Sequence, residues 1–174
     1  MREPADAERI GSFMRALGTA AAKEADVYFT GGATAVLVGW RGTTVDVDVK
    51  FVPEDDVILR AIPGIKEELR INVELASPAD FIPVPAGWEQ RSLSIDREGK
   101  LSFHHFDLYA QALAKLERAH ARDLADVTAM IEAKLVDPAR ALAFFQDIEP
   151  DLYRFPAIDP AAFGRRVRET FERQ

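Results

Sequence analysis

The sequence contains no cysteine. That excludes disulfides, thiolate nucleophiles, and zinc or iron–sulfur sites built on thiolates. It also fits a reducing compartment, so the cytoplasm is the expected location. Histidine is scarce at three residues. His104 and His105 are neighbours, and neighbours on a strand face opposite ways, so they cannot chelate one ion; with His120 distant, a histidine metal site is not expected. No apolar run approaches the roughly 20 residues that span a bilayer, so no membrane is expected as a partner. The start, Met1-Arg2-Glu3-Pro4-Ala5-Asp6-Ala7-Glu8, has the wrong charge for a signal peptide. Basic residues are outnumbered, 22 against 29, for a net charge of −7. Such a mean field repels phosphate and disfavours general nucleic-acid binding, while leaving room for a local basic groove. Aromatic residues make up 9% of the chain, and Trp40 and Trp88 are expected to pack. Ser92, Ser94 and Ser102 occur in no nucleophile setting, so hydrolase chemistry has no support.

What is present is ordinary globular material, 48% apolar and 29% charged over 174 residues. This fits one domain, or one domain with a helical appendage. Ile10, Phe13, Met14, Leu17 and Ala21 recur at helical spacing over residues 6–23. Val27-Tyr28-Phe29 is a short β-prone run ended by Gly31-Gly32, and residues 33–38 read as a buried helix stopped by Gly39. Residues 45–52 alternate as a half-buried strand does. Pro53 and Glu54-Asp55-Asp56 are expected to open a helix reaching about Arg70 and broken near Pro63-Gly64. Residues 71–75 alternate again, and a proline-rich loop follows. Residues 91–95 and 101–106 read as a hairpin joined by residues 96–100. Beyond Asp107 the pattern is helical: Leu108, Ala112 and Leu116 form one stripe, and Leu124, Val127 and Ile131 another. Residues 138–146 and 160–172 complete a strand-free end, where Arg165, Arg166, Arg168 and Arg173 give the last helix a basic side. The expected fold class is α+β. A small mixed β-sheet flanked by helices occupies residues 1–106, and a helical part, residues 107–174, packs on it.

The most informative stretch is Tyr28-Phe29-Thr30-Gly31-Gly32 followed by Arg41-Gly42-Thr43-Thr44-Val45-Asp46-Val47-Asp48-Val49. A strand, two glycines and a helix start bring bare backbone N–H groups beside a spot that no side chain blocks, an arrangement suited to phosphate. Asp46 and Asp48 lie two apart on a strand, so both carboxylates share one sheet face while Val45, Val47 and Val49 face the core. Paired hard oxygens suit Mg²⁺ or Mn²⁺, whose octahedron is completed by phosphate oxygens and water. Like charges side by side on a strand also cost stability unless a cation or partner offsets them.

The pattern Gly-Gly, short helix, Arg-x-x-Thr-x-Asp-x-Asp resembles the nucleotidyltransferase superfamily, and within it the AbiEii-type toxins and related bacterial proteins. Ala114-Lys115-Leu116-Glu117-Arg118 and Arg122-Asp123-Leu124-Ala125-Asp126 are similar to that family's helical Lys…Arg-Asp-x-x-Asp motif. The resemblance implies that Gly31, Gly32 and Thr44 hold a nucleoside triphosphate and that Asp46 and Asp48 hold the metal. Lys115 would contact phosphate, and Asp126 would assist the acceptor. Glu74 is the candidate third metal carboxylate, on the later strand Ile71-Asn72-Val73-Glu74-Leu75. On one straight helix Lys115 and Asp126 would lie about 16 Å apart along the axis, so joint action requires either a break near residues 119–121 or a substrate that spans both. Read from spacing alone, Lys115, Arg118, Arg122 and Asp126 form an ordinary charged helix face. The implied function is transfer of a nucleotidyl group from an NTP to an acceptor such as a tRNA or a protein. A toxin with an antitoxin partner, or a phage-defence toxin, is the narrower version. The alternative is a catalytically inactive nucleotide-binding or protein-interaction module of the same fold.

Overall fold

Eight helices and five strands are built from residues 2–172, the part of the chain that the computed structural model describes; Met1, Arg173 and Gln174 lie outside it. The expected basic contribution of Arg173 therefore falls outside the described residues. Helix α1 (Ala7–Ala20) starts where Asp6 accepts the Arg9 amide at 2.9 Å, and it buries Ile10, Phe13, Met14 and Leu17. Strand β1 (Ala25–Thr30) leads through Gly31 into α2 (Gly32–Val38), which Gly39 ends. Strand β2 (Asp46–Val52) then runs antiparallel to β1.

Helix α3 (Asp56–Leu69) departs from expectation twice. It begins at Asp56 rather than Pro53, because Asp55 is the residue whose carboxylate accepts an amide, that of Val57. It also continues unbroken through Pro63, with Ile58, Ile62 and Ile65 buried on both sides of the proline. That apolar face holds the turn despite the N–H that proline lacks.

Strand β3 (Asn72–Leu75) pairs in parallel with β2. A 3-10 turn at Pro78–Asp80 and the short α4 (Trp88–Arg91) occupy the proline-rich stretch. The hairpin is tighter than expected: β4 (Leu93–Glu98) and β5 (Leu101–His105) turn on Gly99-Lys100 alone, so residues 96–98 belong to a strand. The sheet order is β3-β2-β1-β5-β4, with β1 parallel to β5 and antiparallel to β2. This is the α+β architecture anticipated above: a five-stranded mixed sheet flanked by helices, followed by helices only.

The chain divides into two compact units, Met1–Ser77 with Ser92–Phe106, and Pro78–Arg91 with Asp107–Gln174. In the first, one sheet face is apolar. Val47, Val49, Phe51, Val27, Phe29 and Phe103 pack with the buried faces of α1 and α3. The opposite face carries the alternate residues of β2, Asp46, Asp48 and Lys50, all of them half-buried.

The second unit is built on α5 (Leu108–Arg118), α6 (Ala121–Glu132), α7 (Pro138–Ile148) and α8 (Pro160–Phe171). Asp107 caps α5 by accepting the Tyr109 amide, and Arg91 grips the same carboxylate at 2.8 and 3.1 Å. The Arg91 guanidinium also lies 4.1 Å over the Phe144 ring, so one cation ties α4, α5 and α7 together. The face of α6 is only partly the expected one: Val127 is buried and Ile131 half-buried. Leu124 is exposed, and the buried residues are Asp123, Asp126, Val127 and Met130.

Candidate active site

The glycine turn and the twin acids converge in the first unit. Gly31 has φ 61 and ψ −130, a conformation that an L side chain strongly disfavours. A Cβ placed on it would lie 3.2 Å from Asp48 Oδ2. Asp48 and the turn are therefore within contact distance. The register explains why: Thr30, the last residue of β1, sits directly opposite Asp48. A Cβ on Gly32 would fall 2.0 Å from Thr44 Oγ1 and 3.3 Å from Arg41 Nη1. Thr44 is held from both sides. Its backbone exchanges hydrogen bonds with Ala5 at 2.7 and 2.9 Å, and its hydroxyl donates to the Asp46 carbonyl at 2.9 Å. That hydroxyl hydrogen thus serves the approach to β2. We expect Gly32→Ala to lower stability by about 1–3 kcal/mol in urea denaturation, because Thr44 is pinned and cannot yield; a loss below about 0.5 kcal/mol would mean that the turn adapts freely.

Asp46 and Asp48 point to one face, as their spacing requires. The β2–β3 register sets Asp46 beside Asn72 and Asp48 beside Glu74. The Asn72 amide donates to Asp46 Oδ1 and, at 3.4 Å, to Glu74 Oε1. Asn72 thus stands between the expected metal carboxylate and the candidate third one. Among the described residues, no group of three or more His, Asp or Glu is placed to hold a metal. Two carboxylates are nonetheless the usual protein share for a Mg²⁺ that arrives with a nucleotide and takes its remaining ligands from phosphate and water. Asp46 and Asp48 offer hard carboxylate oxygens, the kind of donor that ion takes.

In the second unit the helix breaks near residues 119–121, the first of the two alternatives. Ala119 takes φ 58, ending α5, and α6 restarts at Ala121. Lys115 Nζ and Asp126 Oδ2 are consequently 2.7 Å apart, both side chains almost fully buried. Asp123 Oδ1 stands 3.8 Å from the same ammonium, and Arg118 reaches Asp123 at 2.6 and 2.8 Å. Burial pushes the Asp123 carboxyl upward, but Arg118, Lys115 and the His120 amide outweigh it and hold its pKa below the ordinary 3.8. The charged-face reading of this helix pair does not survive: Arg122 is exposed, and Asp126 pairs with Lys115. The supposed face spans two helices, since Ala119 separates Lys115 and Arg118 from Arg122 and Asp126, and Lys115 and Asp126 are buried rather than solvated.

His104 and His105 diverge as neighbours on a strand must. His104 bonds Asp26 at 2.8 Å and stacks on Tyr28, while His105 turns to the other face and meets Thr34 at 3.0 Å. Two neighbours of the site, Asn72 and Arg41, have no role that the sequence motifs assign. Strand alternation identifies Asn72 as a residue on the acidic face, whereas only tertiary contact reveals that Arg41 folds back to Gly32.

A mixed sheet carrying a glycine turn against an Asp-x-Asp strand is the arrangement that the resemblance to the nucleotidyltransferases implies. Residues 8–148 match the model of the family described as a nucleotidyltransferase of unknown function (DUF6036), and the chain belongs to that family. No curated protein and no solved structure matches it. Among the described residues no helix is long and apolar enough to cross a membrane.

Proposed function

We propose that the protein is a cytoplasmic, metal-dependent nucleotidyltransferase. The observation that carries this reading is the 3.2 Å approach of Asp48 Oδ2 to the space a Cβ on Gly31 would occupy, which sets carboxylate and glycine backbone around one small volume. In the reaction, an acceptor oxygen or nitrogen bonds to the α-phosphorus of an NTP. The bond to the pyrophosphate oxygen breaks, and the acceptor loses its proton. Mg²⁺ or Mn²⁺ held by Asp46 and Asp48 would neutralise phosphate charge and acidify the acceptor. The glycine turn would let backbone N–H groups approach the phosphate chain, with the Arg41 guanidinium alongside. The resemblance also gives Lys115 and Asp126 a share in the chemistry. Since they are 2.7 Å apart, the two would exercise it as a pair.

The test is calorimetry and product analysis with Mg²⁺, labelled NTPs, and candidate acceptors comprising tRNA, proteins, and small alcohols or amines. Wild type is expected to bind and to turn over; Asp46→Ala/Asp48→Ala is expected to lose turnover. Identical behaviour of the two in binding and in turnover would overturn the proposal. The toxin version, with an antitoxin partner, rests on the AbiEii-like motif; growth arrest on expression should disappear with Asp48→Ala. A second reading, an inactive nucleotide-binding module, is favoured by one observation: Lys115 is engaged by Asp126 and Asp123. NTP binding without any product would select it.

A further inference from the structure

Two consecutive glycines are the most flexible pair a turn can contain, so Gly31-Gly32 cannot hold its own geometry. Unless something else fixes it, a ligand bound there must supply the ordering, at a cost in affinity. The structure shows one tie on the turn itself, the Gly31 carbonyl accepting the Ala35 amide at 3.1 Å, and a second set of bonds around it. The carbonyl of Phe29, just before the turn, accepts the Phe106 amide at 2.8 Å and the Thr34 hydroxyl at 3.3 Å. Thr34, just after the turn, is fully buried. His105 lies opposite Phe29 in the parallel β1–β5 register and brings Nδ1 to 3.0 Å from Thr34 Oγ1. With the hydroxyl hydrogen on Phe29, the oxygen accepts from Nδ1–H; in the other tautomer the hydroxyl donates to Nδ1, and His105 anchors Thr34 in either case. The bonds run His105 to Thr34 to Phe29 and straddle residues 30–33. Burial keeps His105 neutral at physiological pH by lowering its pKa to about 4.

A buried polar pair costs desolvation that an apolar pair of similar size would not incur. Its location beneath the one turn with the least intrinsic order gives it a purpose. We propose that His105 and Thr34 are positioning residues that hold the Gly31-Gly32 turn in the geometry facing Asp48, and through it set the affinity for a nucleotide's phosphate chain. The affinity half rests on the nucleotide reading given above.

Two readouts on the intact chain test this: amide hydrogen exchange at Gly31 and Gly32 by NMR, and calorimetric titration with the Mg²⁺ complexes of ATP, GTP, CTP and UTP. His105→Phe and Thr34→Val should each speed exchange at both glycines and weaken the tightest-binding NTP about tenfold, the worth of one buried hydrogen bond. The double variant should be no worse than the weaker single, since both cut one chain of bonds. His105→Asn should restore both readouts, its Nδ2 standing near the place of Nδ1. Should His105→Phe not fold, Thr34→Val and His105→Asn carry the same comparison. A merely structural role would lower the unfolding midpoint while leaving glycine exchange and NTP affinity of the folded protein at wild-type values, and that result overturns the proposal. If the glycines respond but wild type binds no NTP, the affinity half falls with the nucleotide reading and the positioning half stands. If wild type binds and the variants change nothing, positioning falls alone.

Discussion

Lys115→Met should destabilise the protein by about 3–5 kcal/mol, the usual cost of removing one partner from a buried ion pair. Lys115 and Asp126 are 2.7 Å apart with side chains only 6% and 2% exposed, so water cannot replace the lost cation at Asp126. Asp123, 3.8 Å from the ammonium, loses part of its compensation as well, although Arg118 still grips it. Lys115→Met/Asp126→Leu removes both charges and fills the space with apolar atoms, and should recover most of the loss. Urea denaturation of the two singles and the double closes the cycle. A single-variant cost below about 1 kcal/mol would show that the pair behaves as an exposed one does. The same variants bear on function: if the double is stable yet inactive while wild type turns over, the pair serves more than folding.

Acid should weaken the fold through His105. Burial lowers its pKa from 6.5 to about 4. Between those values the unfolded chain takes up a proton that the folded one refuses. This contribution is therefore fully present above pH 6.5, falls as the pH drops toward 4, and is flat below. At 1.36 kcal/mol per pKa unit the total is about 3 kcal/mol. Carboxylates also titrate in part of this window, so the informative quantity is a difference. His105→Asn keeps the bond to Thr34 and cannot titrate; its stability should fall less steeply than that of wild type between pH 6.5 and 4. Parallel pH profiles for the two proteins would show that His105 is not held neutral by burial.

Much of the framework is legible in the order of residues, because it rests on local rules. The spacing of Ile10, Phe13, Met14 and Leu17 identifies α1 and its buried face. Alternation along β2 sets Asp46 and Asp48 on one face and Val47 and Val49 on the other, and the burial pattern follows it, whereas Val45, just before the strand and expected in the core, is exposed. Where competing local signals meet, packing decides. Pro63 would break an isolated helix, yet three buried isoleucines carry α3 through it. The hairpin loop reads as five residues long because Asp96, Arg97 and Glu98 are polar; β4 is an edge strand of the sheet, where polar side chains are tolerated.

The candidate site divides in the same way. The sequence by itself determined the chemistry available: two carboxylates on one strand face, two glycines after another strand, and a lysine and aspartates in the helical part. Spacing along a chain is enough to say which residues share a face of one element. What only the tertiary structure decided is which elements meet. The register of β1 against β2 brings Asp48 to Gly31, the fold of the α2–β2 connection returns Arg41 to Gly32, and the reversal at Ala119 joins Lys115 to Asp126. Those meetings depend on strand pairing and on one left-handed residue, and neither leaves a periodic mark in the sequence.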